Sequence, residues 1–491
     1  MKTRNSVLFF IMILVLNLHA EDGSYTTTFI HWNDFHSWNT PWKPTHYNPD
    51  GHMAGGYAYL ASMVDSLKNL YPDAYVVHAG DDFQGTPVSS ITRGGSQITI
   101  LNEIKPDIFT VGNHEFDYGL TRLLELRDSA KFDIFGANIR RPSDGARIFR
   151  SVKVLDRLPF KAAVIGLASG ELYLLSLPSN LENLILDDPA ETALHLTDSL
   201  TAEGFEFIVA VTHMGIENDI ELAKKVPAID LIIGGHSHTY MRNPRKEGNT
   251  YIVHASSSGR YLGELHLKTD GKTIQTADFK LLEVLPSNIK PSPVIADLVE
   301  NYENTVGAML DKVIGELKSD WIRGGIESNI GNWITDAMRV HTNAHIAVQN
   351  NGGIRKNLSA GPVKVRDIWE IAPFENQIIT FTVTGEEVQT MLNFQIAAGF
   401  NVQWSGLTFE ADTVNKSATN IRVKGKRLRP KKSYTVVSNN YVAEQLDKYF
   451  GIEKKQVTDL NLIDRDVLIE AVKNQKVIDS KIEGRIVFKN P

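Results

Sequence analysis

From Thr27 to about Val284 the chain repeats one local theme: a short apolar run, then a polar cluster, then a helix-like segment. The runs fall at 28–30, 75–77, 108–111, 207–211 and 231–233. Runs this short and this continuously apolar are what strands buried on both faces look like. Their alternation with helical patterns at 56–69 and 189–202 predicts an α/β layered domain.

The polar cluster after each run carries oxygen and imidazole donors. Asp34 and His36 lie in His31-Trp32-Asn33-Asp34-Phe35-His36, and Asp81 ends His78-Ala79-Gly80-Asp81. Asn113 and His114 sit in Gly112-Asn113-His114-Glu115, His213 follows Val211-Thr212, and His236 and His238 sit in Gly234-Gly235-His236-Ser237-His238. Strand ends on one side of an open α/β sheet are where ligand sites gather. Asp34 with His36, and His236 with His238, are each separated by one residue, so in extended chain both members of a pair face the same way. Carboxylate, imidazole and amide donors without thiolate suit borderline divalent metals such as Zn²⁺, Mn²⁺, Fe or Co. A single Asp-x-His is weak evidence, but the same arrangement after each run predicts a metal centre. His31, His78 and His254, within or just after strand-like runs, read as structural imidazoles. Asp82, Asp230 and Glu115 adjoin the candidate ligands without matching a ligand position.

In this order, D-x-H, G-D, G-N-H-E, a histidine after a strand and G-H-S-H resemble the calcineurin-like metallophosphoesterases. With Ala137-Asn138-Ile139 and Ile165-Gly166-Leu167 they look like the 5′-nucleotidase branch of that family. The resemblance implies a four-layer α/β sandwich followed by a second, α+β substrate-binding domain. It also implies two divalent metal ions. One would be held by Asp34, His36, Asp81 and His238, the other by Asp81, Asn113, His213 and His236, with Asp81 bridging. His238 stands where many relatives carry glutamine. His114 and Asp117 match the family's His-Asp dyad, and their three-residue spacing allows contact on a helical turn.

The stretch 285–293 is the richest in turn and breaker residues and marks a boundary. A helical pattern follows to about 312, which divides the chain into 21–285, a linker helix at 286–312, and 313–491. The last part opens with an amphipathic helix bearing Ile330, Trp333, Ile334, Ala337 and Met338, and strand-like alternation appears at 378–383. Glu327-Ser328-Asn329, Asn350-Asn351-Gly352-Gly353-Ile354-Arg355, Pro373-Phe374-Glu375-Asn376 and Thr384-Gly385-Glu386-Glu387 resemble the 5′-nucleotidase C-terminal domain. By that resemblance Phe374 stacks on the base, Asn350 contacts it, and Arg355 lies near ribose or phosphate. Arg323 is the displaced counterpart of an arginine that relatives carry nearer the glutamate of E-S-N. The family's G-G-D-G-aromatic loop is missing, and Tyr449 is the nearest counterpart of its stacking ring.

Lys2 and Arg4, the apolar run 7–16 and Ala20 read as a secretory signal peptide at 1–20, which predicts export to a bacterial periplasm or the cell exterior. There is no cysteine, so disulfides and thiolate ligands are excluded. No later stretch is apolar enough to span a bilayer. The net charge of −7 offers nothing to the counterion release that drives polynucleotide binding, which leaves small nucleotides as the expected ligand. The resulting expectation is hydrolysis of nucleoside 5′-monophosphates. The alternatives are a nucleotide-sugar or dinucleotide pyrophosphatase or a 2′,3′-cyclic-nucleotide phosphodiesterase on the same centre, and a non-catalytic nucleotide-binding surface protein.

Overall fold

The computed structural model describes residues 24–44, 48 and 50–489, so the leader expected at 1–20 lies outside the described residues. Each of the apolar runs is a strand, and together they build two six-stranded sheets. In the first, Tyr25–Trp32, Tyr75–His78, Ile108–Thr110 and Ile134–Phe135 run parallel, and the antiparallel strands Tyr261–Thr269 and Ile274–Glu283 extend the Tyr25–Trp32 edge. In the second, Ala162–Ala168, Phe207–His213, Leu231–Gly234 and Thr250–Val253 are parallel, with antiparallel edges Val152–Val154 and Arg245–Glu247.

Alternation along these strands divides their side chains between different cores, as the two-residue period requires. Phe29, Val77, Val209, Val211 and Ile233 meet between the sheets. Ile30, Trp32 and Val76 face the opposite way, under the helices Tyr57–Leu70, Gly95–Ile104 and Leu120–Ser129. Ile208, Ala210 and Ile232 point out of the second sheet, under Pro189–Ala202 and Ile216–Lys225. The result is the four-layer sandwich, helices outside and two sheets within. The run 207–211 is apolar throughout because it must satisfy two apolar layers at once.

The C-terminal part is α+β. Its central sheet has the order Val402–Ser405, Ile346–Asn350, Ser433–Asn439, Gln377–Thr384, Val457–Ile463, and smaller sheets of three and four strands flank it. Two motifs of the sequence act here as helix starts. Ser328 accepts a hydrogen bond from Gly331 N to cap Asn329–Thr342, and Thr384 with Glu387 forms a capping box on Gly385–Ala397. The glutamate of E-S-N is a tether: Glu327 accepts from the amides of Glu483, Gly484 and Arg485, holding the final strand Ile486–Phe488.

The helix Pro293–Leu310 belongs to both halves. Its Ile295 and Val299 complete the N-terminal helix-side core, whereas Val306 and Leu310 pack into a C-terminal core together with Val88. Tyr302 donates to Thr99 Oγ1 at 3.1 Å.

The two sheets approach closely at Gly166, where a Cβ would lie 2.3 Å from Phe135 Cβ and 3.0 Å from Thr110 Oγ1. Gly166→Ala is therefore expected to destabilise the protein by about 1–3 kcal/mol through overpacking. Gly307→Ala, in helix Pro293–Leu310 with nothing nearer than 3.5 Å, should instead gain about 0.5–1 kcal/mol. Urea unfolding of the two variants distinguishes them, and equal effects would refute the inter-sheet assignment.

Candidate metal centre and substrate cleft

Because the strands bearing the apolar runs are parallel within each sheet, their C-terminal ends share one edge of the sandwich, and the polar clusters emerge there together. The loops after Trp32 and His78 are zipped by backbone bonds from Asp34 N to Gly80 O, His36 N to Asp81 O and Ser37 N to Asp82 O, at 2.9–3.0 Å. The carboxylates extend this lacing. Asp34 Oδ2 accepts from His236 N at 2.9 Å, and Asp81 Oδ1 from His114 N at 2.8 Å. Asp34, His36, Asp81, His236 and His238 all adopt positive φ, between 49° and 79°. Such conformations cost non-glycine residues on the order of 1–3 kcal/mol each and gather at functional sites.

The structure brings the expected ligands together in two clusters: Asp34, His36 and His238 form one, Asp81, His213 and His236 the other. A third grouping, His36, Asp81 and His114, joins them. His36 Nε2 and His238 Nε2 are 2.9 Å apart, and His213 Nε2 lies 3.0 Å from Asp81 Oδ2 and 3.7 Å from Asp34 Oδ1. The ring orientations are set from behind: His213 Nδ1 donates to Ala79 O at 2.6 Å, and His36 Nδ1 lies 3.2 Å from Gln84 O. Each leaves its Nε2 for the centre, the usual arrangement behind a metal-bound imidazole. Asn113 Oδ1 is buried without a hydrogen-bond partner. An orphaned acceptor on the loop next to this cluster of carboxylates and imidazoles fits divalent cations.

Electrostatics point the same way. Burial, opposed by His213 and reinforced by Asp81, pushes the Asp34 carboxyl up to about 6. Burial also holds the His236 imidazole down at about 4, leaving it neutral and free to ligate. His213, against its burial, is raised to about 10 by Asp81 and Asp34. The carboxylate pair demands positive charge, as a proton or as a metal ion.

His114 lies on the single helical turn His114–Phe116, with Nδ1 2.7 Å from Asp117 Oδ2 and Nε2 4.0 Å from Asp81 Oδ2. Burial works against its charge, but Asp117 and Asp81 more than offset this and raise its pKa.

The cluster opens into a cavity of about 420 Å³ between the two halves of the chain. His36, Asp81, Asn113, His114, Asp117, His236 and His238 line its N-terminal wall, and Asn350, Arg355, Phe374 and Tyr449 its C-terminal wall. Phe374 stacks on His114 with ring centroids 5.7 Å apart, and the Arg355 guanidinium lies 5.6 Å from the Phe374 ring centre. The Phe374 loop is braced by Arg465, which lies over Trp369 and 3.6 Å from Glu375. Asn350 Oδ1 accepts from Asn439 at 3.0 Å. Arg323 is not among the lining residues; it donates to Ile354 O at 2.6 Å, behind the loop that carries Arg355.

Two participants escaped the sequence reading. Glu115 accepts from the amides of Asp81, Asp82, Phe83 and Gly112, so it clasps the loop that presents Asp81 to the loop that presents Asn113. Its place beside His114 was the available signal. Tyr441 lines the cavity and donates to Leu174 O at 2.5 Å, across the two halves, with its ring 6.2 Å from that of Tyr449. No motif marked it, because its role depends on a distant loop. The histidines read as structural include two with such partners: His78 meets Asp82 at 3.0 Å and His254 meets Asp219 at 2.8 Å. His31 is fully buried, held neutral by burial and by His254, with its ring against Phe279.

Residues 27–240 match the family model for calcineurin-like phosphoesterases, and residues 313–453 that for the 5′-nucleotidase C-terminal domain. The 5′-nucleotidase of Vibrio vulnificus is 27% identical over 96% of this chain and 95% of its own. Protein UshA of Yersinia enterocolitica is 25% identical over 96% of this chain and 95% of its own. The crystal structure of the 5′-nucleotidase precursor from Thermus thermophilus superposes with a TM-score of 0.86 at 26% identity, covering 95% of this chain and 100% of that one. The match thus spans the sandwich, the cleft and the C-terminal part together: the chain joins a calcineurin-like phosphoesterase domain to a 5′-nucleotidase C-terminal domain.

Proposed function

We propose that this chain hydrolyses nucleotide phosphate esters, releasing phosphate from nucleoside 5′-monophosphates. One observation carries the reading: the clustered carboxylates and imidazoles face, across a single cavity, an arginine and an aromatic ring contributed by the other domain. Domains 21–285 and 313–491, joined by the linker at 286–312, would supply the metal centre and the substrate grip. Zn²⁺ or Mn²⁺, held by Asp34, His36, Asp81 and His238 and by Asp81, Asn113, His213 and His236, would polarise the phosphoryl group and lower the pKa of water. His114, its Nδ1 fixed by Asp117, directs Nε2–H at the phosphoryl and leaving oxygens, where charge develops. Arg355 balances phosphate charge, and Phe374 offers the base a face that does not depend on its identity. Asn350 and Tyr449 close the same wall, and Arg323 acts through the Arg355 loop. Export guided by residues 1–20 would place the enzyme in the periplasm or outside the cell.

A second reading keeps the centre and changes the bond, to a nucleotide-sugar or dinucleotide pyrophosphate or a 2′,3′-cyclic phosphodiester. The Tyr441–Tyr449 pair, standing where relatives carry a glycine-rich loop, favours it.

Phosphate release from AMP with Mn²⁺ or Zn²⁺ tests the main reading. Asp81→Ala should lose about 10³-fold or more in rate together with bound metal, because a bridging ligand serves both ions; an equally active variant would end the proposal. His114→Ala should lower kcat about 10²–10⁴-fold with metal content unchanged; a change confined to KM would remove His114 from the chemistry. Phe374→Ala should raise KM for AMP about 5- to 100-fold, the range for one lost base stack. AMP, UDP-glucose and 2′,3′-cyclic AMP compared on the wild type separate the two readings, and a clear AMP preference excludes the second.

A further inference from the structure

The segment 422–432 holds seven cations, Arg422, Lys424, Lys426, Arg427, Arg429, Lys431 and Lys432, and no carboxylate. The other residues carry 44 cations against 58 carboxylates, so a strongly acidic molecule concentrates positive charge in one place. All seven side chains are exposed. Strands Ser417–Val423 and Lys426–Arg427 form a hairpin at the free edge of a four-stranded sheet. Its register sets Arg422 directly opposite Arg427 and Val423 opposite Lys426. Like charges facing each other across a strand pair are destabilising, and the fold does not relieve them. Among the described residues none of the seven makes an ion pair with a carboxylate; Arg422 donates to Gly425 O, and Lys432 lies over the Tyr434 ring. Glu386, whose amide bonds Pro430 O, is the acidic residue packed next to the segment.

The neighbours locate this face relative to the cleft. Gly385 N bonds Lys432 O, and Lys424 N bonds Gly406 O beside His345. Burial, then Lys424 and Lys432, hold the His345 imidazole below its ordinary pKa, which places these cations around it. His345 immediately precedes strand Ile346–Asn350, whose last residue lines the cavity, and the paired strand Ser433–Asn439 likewise runs from the basic segment to the cleft. The basic face and the cavity therefore lie at opposite ends of the same sheet.

We propose that the hairpin 422–432 is a docking surface for an anionic phospholipid bilayer, holding the enzyme at a membrane surface with its cleft turned to solvent. Headgroup phosphates complement the charge, and exposed cations along the free edge of a sheet can meet an anionic surface without needing a groove. Single-stranded nucleic acid would call for exposed stacking rings in the patch, and Tyr434, its aromatic residue, is buried. The uneven charge also orients the molecule as it approaches, since the acidic remainder is repelled.

Co-sedimentation of the purified protein with phosphatidylglycerol/phosphatidylcholine vesicles, against phosphatidylcholine alone, tests this. The wild type should pellet with the anionic vesicles at low salt and be released at high salt. Each cation removed should weaken partitioning roughly fivefold, the effect of one basic residue near an anionic surface. Combining Lys424→Gln, Lys426→Gln, Arg427→Gln and Lys431→Gln should therefore abolish pelleting while AMP hydrolysis in solution and thermal stability stay unchanged. No pelleting of the wild type, or equal pelleting of the variant, overturns the proposal. Tighter binding to a DNA duplex than to vesicles at equal phosphate concentration overturns it in favour of a nucleic-acid partner.

Discussion

Two carboxylates, Asp34 and Asp81, are buried side by side at the end of the sandwich, and the architecture around them answers to that single electrostatic demand. Neither can be ionised there without positive charge nearby. His213 sits between them, backbone amides of His236 and His114 donate to them, and imidazoles from three further loops close the cluster. The positive backbone φ of five candidate ligands shows strain held at the same spot. A stiff scaffold is needed to hold such strain, and two fully packed sheets provide it.

The scaffold also explains the division of labour between the domains. The N-terminal sandwich positions donors firmly because the strands that lead into them, such as Tyr75–His78, Phe207–His213 and Leu231–Gly234, are buried on both faces. The cleft's opposite wall comes from loops of the second domain, joined through one helix whose two ends are buried in two different cores. Phe374 on His114 and Tyr441 on Leu174 O are contacts of the assembled pair and exist in neither domain alone. A basic face at the far end of the second domain adds a polarity to the molecule, with chemistry at one end and charge at the other.

Several roles were readable from residue order because they are local. Strands followed the continuous apolar runs, the donors followed the strands, and the spacing of His114 and Asp117 forecast their contact. The motif Thr384-Gly385-Glu386-Glu387 is a capping box whose bonds close within one turn. Arg323 shows the opposite case: its sequence neighbourhood suggested the cleft, yet its guanidinium is spent on a carbonyl behind Arg355. Glu115 matches no ligand position in the sequence, and its part in the site comes through four amides on two loops.

The sequence by itself determined the α/β class of the first domain and the oxygen and imidazole donors that follow its strands, since both rest on periodicity and residue order within short windows; the second domain was marked by a turn-rich boundary and by motifs that resemble a known family. Only the tertiary structure decided which donors share a cluster, which wall each cavity-lining side chain occupies, and that Tyr441 bridges the halves. Those facts depend on contacts such as that between Tyr441 and Leu174, 267 residues apart. Strand order and sheet packing set such distances, and no local pattern of residues encodes them.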